Sequence, residues 1–159
     1  MTEAPAPQEI RPARLTDVAA IRALLPDLAG FEVPPRRDPD DLWTGDAETL
    51  ERWAQGRAPA CLVHVAQSAA GIDGFTIVTL REELMSHAPS SHLEAIVVHE
   101  RARGTGLGKR LLANAESAAR AAGAGSMTLH VFGNNERARA VYRKSGYDEE
   151  LIRSIKYLD

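Results

Sequence analysis

Apolar positions along this chain follow two rhythms, and the switches between them mark out its elements. Val18, Ile21, Leu24 and Leu25 share one face of a helix predicted over residues 17–25, with Thr16 as its cap and Pro26 as its stop. Residues 30–45 break that period with Pro34, Pro35 and Pro39 beside Asp38, Asp40 and Asp41, and read as a loop or broken helix. A second helix is predicted over 47–55. Residues 10–14 suit a short strand, and 60–67 and 74–80 have strand character, with turn formers at 68–73 predicting an antiparallel hairpin.

A polar stretch at 82–91 is predicted as a loop. Beyond it, Leu93-Glu94-Ala95-Ile96-Val97-Val98 is apolar on both faces apart from one carboxylate, as a central buried strand would be. Leu107, Leu111, Ala115, Ala118 and Ala122 form one stripe of a long helix that Gly123 stops. Residues 127–132 return to strand character, so 93–132 is a strand, helix, strand unit with parallel strands. Asn134 and Asn135 introduce a short helix over 136–144, closed by Gly146. Residues 147–158 mix β-branched, aromatic and charged side chains and are predicted to supply one or two further strands.

The 159 residues fit a single domain over 9–159, preceded by a Pro- and Ala-rich tail at 1–8 that lacks the features of a secretory signal. No apolar run approaches the roughly 20 residues that cross a bilayer, which predicts a cytoplasmic protein without a membrane partner. A net charge of -3 argues against nucleic-acid binding through a broad basic face. Cys61 is the single cysteine and reads as a buried structural thiol. The histidines at 64, 87, 92 and 99 lack metal-ligand spacing, so no metal is predicted.

The chemistry concentrates in Arg103-Gly104-Thr105-Gly106-Leu107-Gly108-Lys109. Three glycines and four cations, at 101, 103, 109 and 110, fall within ten residues between a strand and a helix N-terminus. Backbone N–H groups that a ligand can approach closely, aided by the helix dipole, make an anion site suited to phosphate. A nucleotide-hydrolysing loop would need glycine where Arg103 stands and Ser or Thr where Arg110 stands. The even spacing of Gly104, Gly106 and Gly108 likewise departs from the dinucleotide fingerprint.

Arg103-x-x-Gly106-x-Gly108 instead resembles the coenzyme A signature of the GNAT superfamily of N-acetyltransferases. The preceding strand, the following helix and the later Asn135-x-x-Ala138-x-x-x-Tyr142-x-Lys144-x-Gly146-Tyr147 are similar to the family's order of features, as is the opening Ile10-Arg11-Pro12-Ala13. The resemblance implies an α/β fold of the α+β type: a central mixed sheet of six to seven strands, about four flanking helices and a parallel strand, helix, strand coenzyme site. It implies acetyl-CoA as co-substrate. Backbone amides of Gly104, Thr105, Gly106, Leu107, Gly108 and Lys109 would bind the pyrophosphate, with charge from Arg103 and Lys109. The backbone of Ile96, Val97 and Val98 would pair with the pantetheine arm, Asn135 would lie beside the coenzyme, and Tyr142 would stand near the sulfur as general acid.

An ammonium cannot attack a thioester until it loses a proton, so a base is also required. Glu94 is the first candidate, because a carboxylate in an apolar strand is costly unless paired or functional, and burial raises a carboxyl pKa. His130 is the second, since an imidazole titrates in the useful range untuned. Acceptor identity falls to about 25–53 and 82–92, where Asp38, Asp40, Asp41, Asp46 and Glu48 suit a cationic amine and Trp43 and Trp53 suit an apolar wall or simple packing. A small-molecule amine is favoured over a protein or peptide amine, a non-catalytic acyl-CoA module and a longer acyl donor. By analogy with the family, 147–158 is where a homodimer interface would form.

Overall fold

A computed structural model describes residues 7–159. Its sheet has five strands in the order β1 (Glu9–Pro12), β2 (Cys61–Ser68), β3 (Gly71–Glu82), β4 (Pro89–Val98) and β5 (Met127–Leu129). Neighbours are antiparallel except β4 and β5, which are parallel as predicted. Four helices flank it: α1 (Val18–Leu24), α2 (Thr44–Ala54), α3 (Leu107–Ala121) and α4 (Glu136–Lys144). Burial fits this two-sided arrangement, since positions 73–78 of β3 are buried without a break. On one face Val63, Val65, Phe75, Ile77, Ala95 and Val97 meet Ile21, Leu25 and Leu50. On the other, Val78 and Leu93 meet Leu112 and Ala115, and Ala66 meets Leu107 and Leu111.

Four expectations are corrected. Thr16 does not cap the first helix; Asp17 organises that entry by accepting from the Arg14 backbone N–H at 2.7 Å and from both Arg11 terminal nitrogens at 2.7 and 3.0 Å. The Arg11 guanidinium holds this buried carboxyl below the usual carboxylate range. Part of the expected loop at 82–91 is strand, because Arg81 and Ser90 pair in the ladder and the buried Ser90 and Ser91 hydroxyls find Ser126. Hydroxyls look loop-like in sequence until a tertiary partner satisfies them. Residues 130–132 do not continue β5, and 147–159 form no strand, so among the described residues five strands stand where six to seven were expected. Glu149 is instead drawn to Arg139 and Arg143, and Asp159 to Arg36, whose guanidinium lies 4.2 Å over the Tyr157 ring. Of the expected tail, residues 1–6 lie outside the described residues, while Gln8 accepts two hydrogen bonds from Arg110.

Gly74 shows how closely α3 presses on the sheet. A Cβ there would stand 2.7 Å from Val97 O and 2.9 Å from Leu111 Cδ1. Gly74→Ala is therefore expected to destabilise the fold by about 1–3 kcal/mol through overpacking, a fall of several degrees in Tm by thermal denaturation. An unchanged Tm would mean that the helix can move off the sheet freely.

Candidate active site at the strand fork and glycine turn

The site begins with a defect in the ladder. Ile77 pairs with Ala95 but Val78 pairs with Leu93, leaving Glu94 as the extra residue of a β-bulge. A bulge bends its strand and re-aims a side chain. β5 follows β4 only from Ser91–Met127 to Leu93–Leu129, so beyond the bulge the two strands part and β4 runs on to Val98 with one edge open. That divergence also explains why 130–132 cannot extend β5, since no neighbour remains for it. Ile96 and Val98 thus turn their backbone groups to the edge of the fork, where the Val98 carbonyl already accepts from Arg103 Nε at 3.4 Å, while Val97, opposite Phe75, is bonded to β3.

The fork leads to the glycine turn. Gly104 and Gly106 have φ of 75° and 81°, in the left-handed region that other residues rarely adopt, and a Cβ on either would meet nothing within 4 Å. The Thr105 hydroxyl closes the turn by donating to Ala102 O at 2.6 Å. Gly106 caps α3, and the first bond back to it comes from the Arg110 N–H at 3.2 Å, which leaves the N–H groups of Leu107, Gly108 and Lys109 at an open helix terminus. Gly108 abuts the Val98 side chain, joining strand end to helix start. This open cradle of donors fits a pyrophosphate.

The four cations divide. Arg101 is structural: its Nε donates to the buried Asp73 at 2.6 Å and its Nη2 to Ile72 O at 2.9 Å. Arg110 is engaged with Gln8. Arg103 rests loosely near Asp27 at 3.5 Å, half-exposed, and Lys109 is exposed, so these two are available to an anion.

Residues 25–147 match the family model described as Acetyltransferase (GNAT) family. This chain belongs to the GNAT family. The uncharacterized N-acetyltransferase YycN of Bacillus subtilis (strain 168) is 38% identical over 80 residues, covering 46% of this chain and 51% of that protein. The chain thus spans about half the length of this curated relative. The structure of aminoglycoside N-acetyltransferase AAC(6')-Iy in complex with CoA superposes with a TM-score of 0.74 at 22% identity, covering 100% of this chain and 99% of that one. Ribosomal-protein-alanine N-acetyltransferase from Brucella melitensis biovar Abortus 2308 gives a TM-score of 0.69 at 21% identity over 95% and 99% of the two chains. These two likenesses are of fold.

In this GNAT chain, Tyr142 on α4 packs against the same cluster as Ile96 and Leu129, beside the fork. Burial raises its pKa, so the phenol stays protonated at neutral pH. Its ring lies 5.9 Å from that of Tyr147, whose hydroxyl donates to Glu116 at 3.0 Å. Asn135 caps α4 by accepting from the Ala138 N–H at 3.3 Å. That bond occupies its carbonyl oxygen and leaves its amide N–H₂ for a ligand.

The two candidate bases have different surroundings. Glu94 lines a cavity of about 530 Å3 between α2 and the sheet, together with Asp41, Asp46, Arg52, Cys61 and Thr79. Its nearest cation is Arg81 at 3.9 Å. His130 is exposed just after β5, its ring 4.7 Å from that of the buried His92. His92 is hydrogen-bonded through Nδ1 to the Thr128 hydroxyl at 2.7 Å, and burial pushes its pKa down to about 4, so it is neutral.

In the sequence Asp46 is one acid among five and Cys61 reads as a buried structural thiol; Cys61 is buried as expected, and both residues line the cavity. A signal was available, because Asp46, Leu50 and Trp53 recur at i, i+4 and i+7 and so share the inward face of α2. Burial pushes the Cys61 thiol up to about 11, which keeps it protonated and unreactive. Trp43 and Trp53 pack against the core and do not line the cavity, while Asp38 caps the turn before α2. Among the described residues, no three His, Cys, Asp or Glu side chains are placed to hold a metal ion, and no helix is long and apolar enough to cross a membrane.

Proposed function

We propose that this protein transfers an acetyl group from acetyl-CoA to a primary amine of a small molecule, with Glu94 as base and Tyr142 as acid. The observation that carries the reading is the position of Glu94, at the bulge where β4 leaves β5, facing an acidic cavity on one side of the fork that leads to the glycine turn. The free edge at 96–98 would hold the pantetheine arm and the cradle at 104–109 the pyrophosphate. Arg103 and Lys109 would add charge, and the Asn135 amide would lie beside the coenzyme.

When bound, the coenzyme supplies the activated acetyl group. Glu94 would accept a proton from the incoming ammonium, freeing the lone pair that attacks the carbonyl carbon; as the C–S bond breaks Tyr142 would donate a proton to the departing thiolate, and the second proton lost by the new amide nitrogen would restore the phenol. A carboxylate-rich cavity draws in a cation and offers it a proton acceptor, which supports an amine acceptor. The aminoglycoside acetyltransferase among the structural neighbours is consistent with that class. His130 is the less favoured base because it does not line the cavity.

The first test is a thermal shift with acetyl-CoA, followed by thiol release across polyamines, amino acids, aminoglycosides and peptides. We expect Tm to rise by several degrees at saturating coenzyme and thiol release to depend on a small amine. No shift would overturn the acetyltransferase reading. Release with peptides alone would replace the acceptor class, and a shift without release on any amine would indicate a binding module.

A further inference from the structure

The cavity contains a residue that the reaction above leaves unused. Asp46 comes from the first turn of α2 and Glu94 from the bulge of β4, and the two carboxylates face the same space. Glu94 has Arg81 3.9 Å away, but Asp46 has no ion pair or hydrogen bond to its side chain among the described residues. The groups facing it are Asp41 before α2, Arg52 and Thr49 on α2, Cys61 on β2, Thr79 on β3 and Glu94 itself. Arg52 directs its Nη2 to the Thr49 hydroxyl at 3.1 Å, not to Asp46.

A half-buried carboxylate without a cation opposes folding, and a fold tolerates it where a ligand completes it. Burial, reinforced by the negative charge of Glu94, pushes Asp46 up to about 7. A cation entering the cavity would stabilise its ionised form. One positive group satisfies one of the two acids; an acceptor with two would satisfy both.

We infer that Asp46 determines acceptor specificity, holding a second cationic group of a diamine-type substrate while Glu94 addresses the amine that reacts. This rests on the cavity being the acceptor site. The chemistry selects molecules with two ammonium groups on one short frame over monoamines of equal length.

The test uses α,ω-diamines of two to six carbons, each paired with the monoamine of the same length, on wild type, Asp46→Asn and Asp46→Ala. In wild type the best diamine should exceed its monoamine by about 10- to 100-fold in kcat/KM, the effect of one charge-assisted contact, and the ratio should fall towards 1 in both variants. A ratio that is the same in all three proteins overturns the inference. Calorimetric titration of the diamine, with coenzyme A present, gives a readout independent of turnover. At pH 7 binding to wild type should release a proton from Asp46, detected with buffers of different ionisation enthalpy, and the release should vanish in Asp46→Asn. Asp46-dependent binding without acetyl transfer would refute the proposed reaction and reduce this inference to a diamine-binding role for Asp46; transfer with no Asp46-dependent preference would overturn the inference and leave the reaction standing.

Thermal denaturation shows whether the variant folds. Because the folded pKa is raised, the stability linked to this group is complete below the unfolded value, about 3.9, and is lost as pH rises through about 7. Asp46→Asn should therefore melt higher than wild type at pH 8 and converge with it near pH 4. A variant that melts lower at pH 8 would overturn the account of Asp46 as an uncompensated carboxylate.

Discussion

Glu94→Gln is expected to lower kcat/KM for the accepted amine by about 10²- to 10⁴-fold at neutral pH while leaving coenzyme affinity intact. The substitution keeps the size of the side chain and removes its negative charge, and with the charge the ability to take a proton. Structural damage should be small, because the contact to Arg81 is 3.9 Å long and the arginine is half-exposed, so little stability rests on it. The loss should also shrink as pH rises, because an alkyl amine with a pKa near about 10.4 becomes its own free base in alkali. Steady-state kinetics from pH 7 to pH 10 test this directly. A deficit that does not narrow would argue that Glu94 positions the acceptor without moving a proton. If His130→Gln produced the narrowing deficit instead, the base would be His130.

Tyr142→Phe should reduce kcat by about 100-fold or more, with KM for acetyl-CoA changed little. Removing the hydroxyl keeps the ring packed against the cluster of Val78, Leu93 and Leu112, so the helix that carries it should stay in place. Tyr147→Phe is the informative control, because its hydroxyl is already committed to Glu116. That variant should lose stability and keep most of its turnover. Equal losses of kcat in both variants would show that the pair of rings, 5.9 Å apart, matters for packing and not for proton donation.

These expectations draw on two kinds of legibility. The glycine turn could be read from sequence because its requirements are local: left-handed φ at Gly104 and Gly106 and an open helix start at Leu107 follow from residues a few positions apart. The same is true of α4, bounded by Asn135 and Gly146, and of the hairpin. Failures came where a partner distant in sequence decided the outcome. Ser90 and Ser91 read as loop until Ser126 satisfied them, and Thr16 read as a cap until Arg11 and Arg14 turned to Asp17. Spacing alone counts four cations near the glycines, of which Asp73 claims Arg101 and Gln8 claims Arg110. Residues 147–159 had the composition of a strand without a neighbour to pair with.

The sequence by itself determined the strand, the glycine turn and the helix whose first N–H groups stand open, because spacing, glycine and periodicity act over a few residues. The tertiary structure alone decided that Glu94 is the bulge residue, since register exists only between two strands. It alone set Asp46 across a shared cavity from a carboxylate 48 positions away in the chain. Burial, and with it the free energy of a charge, depends on what the rest of the molecule brings alongside.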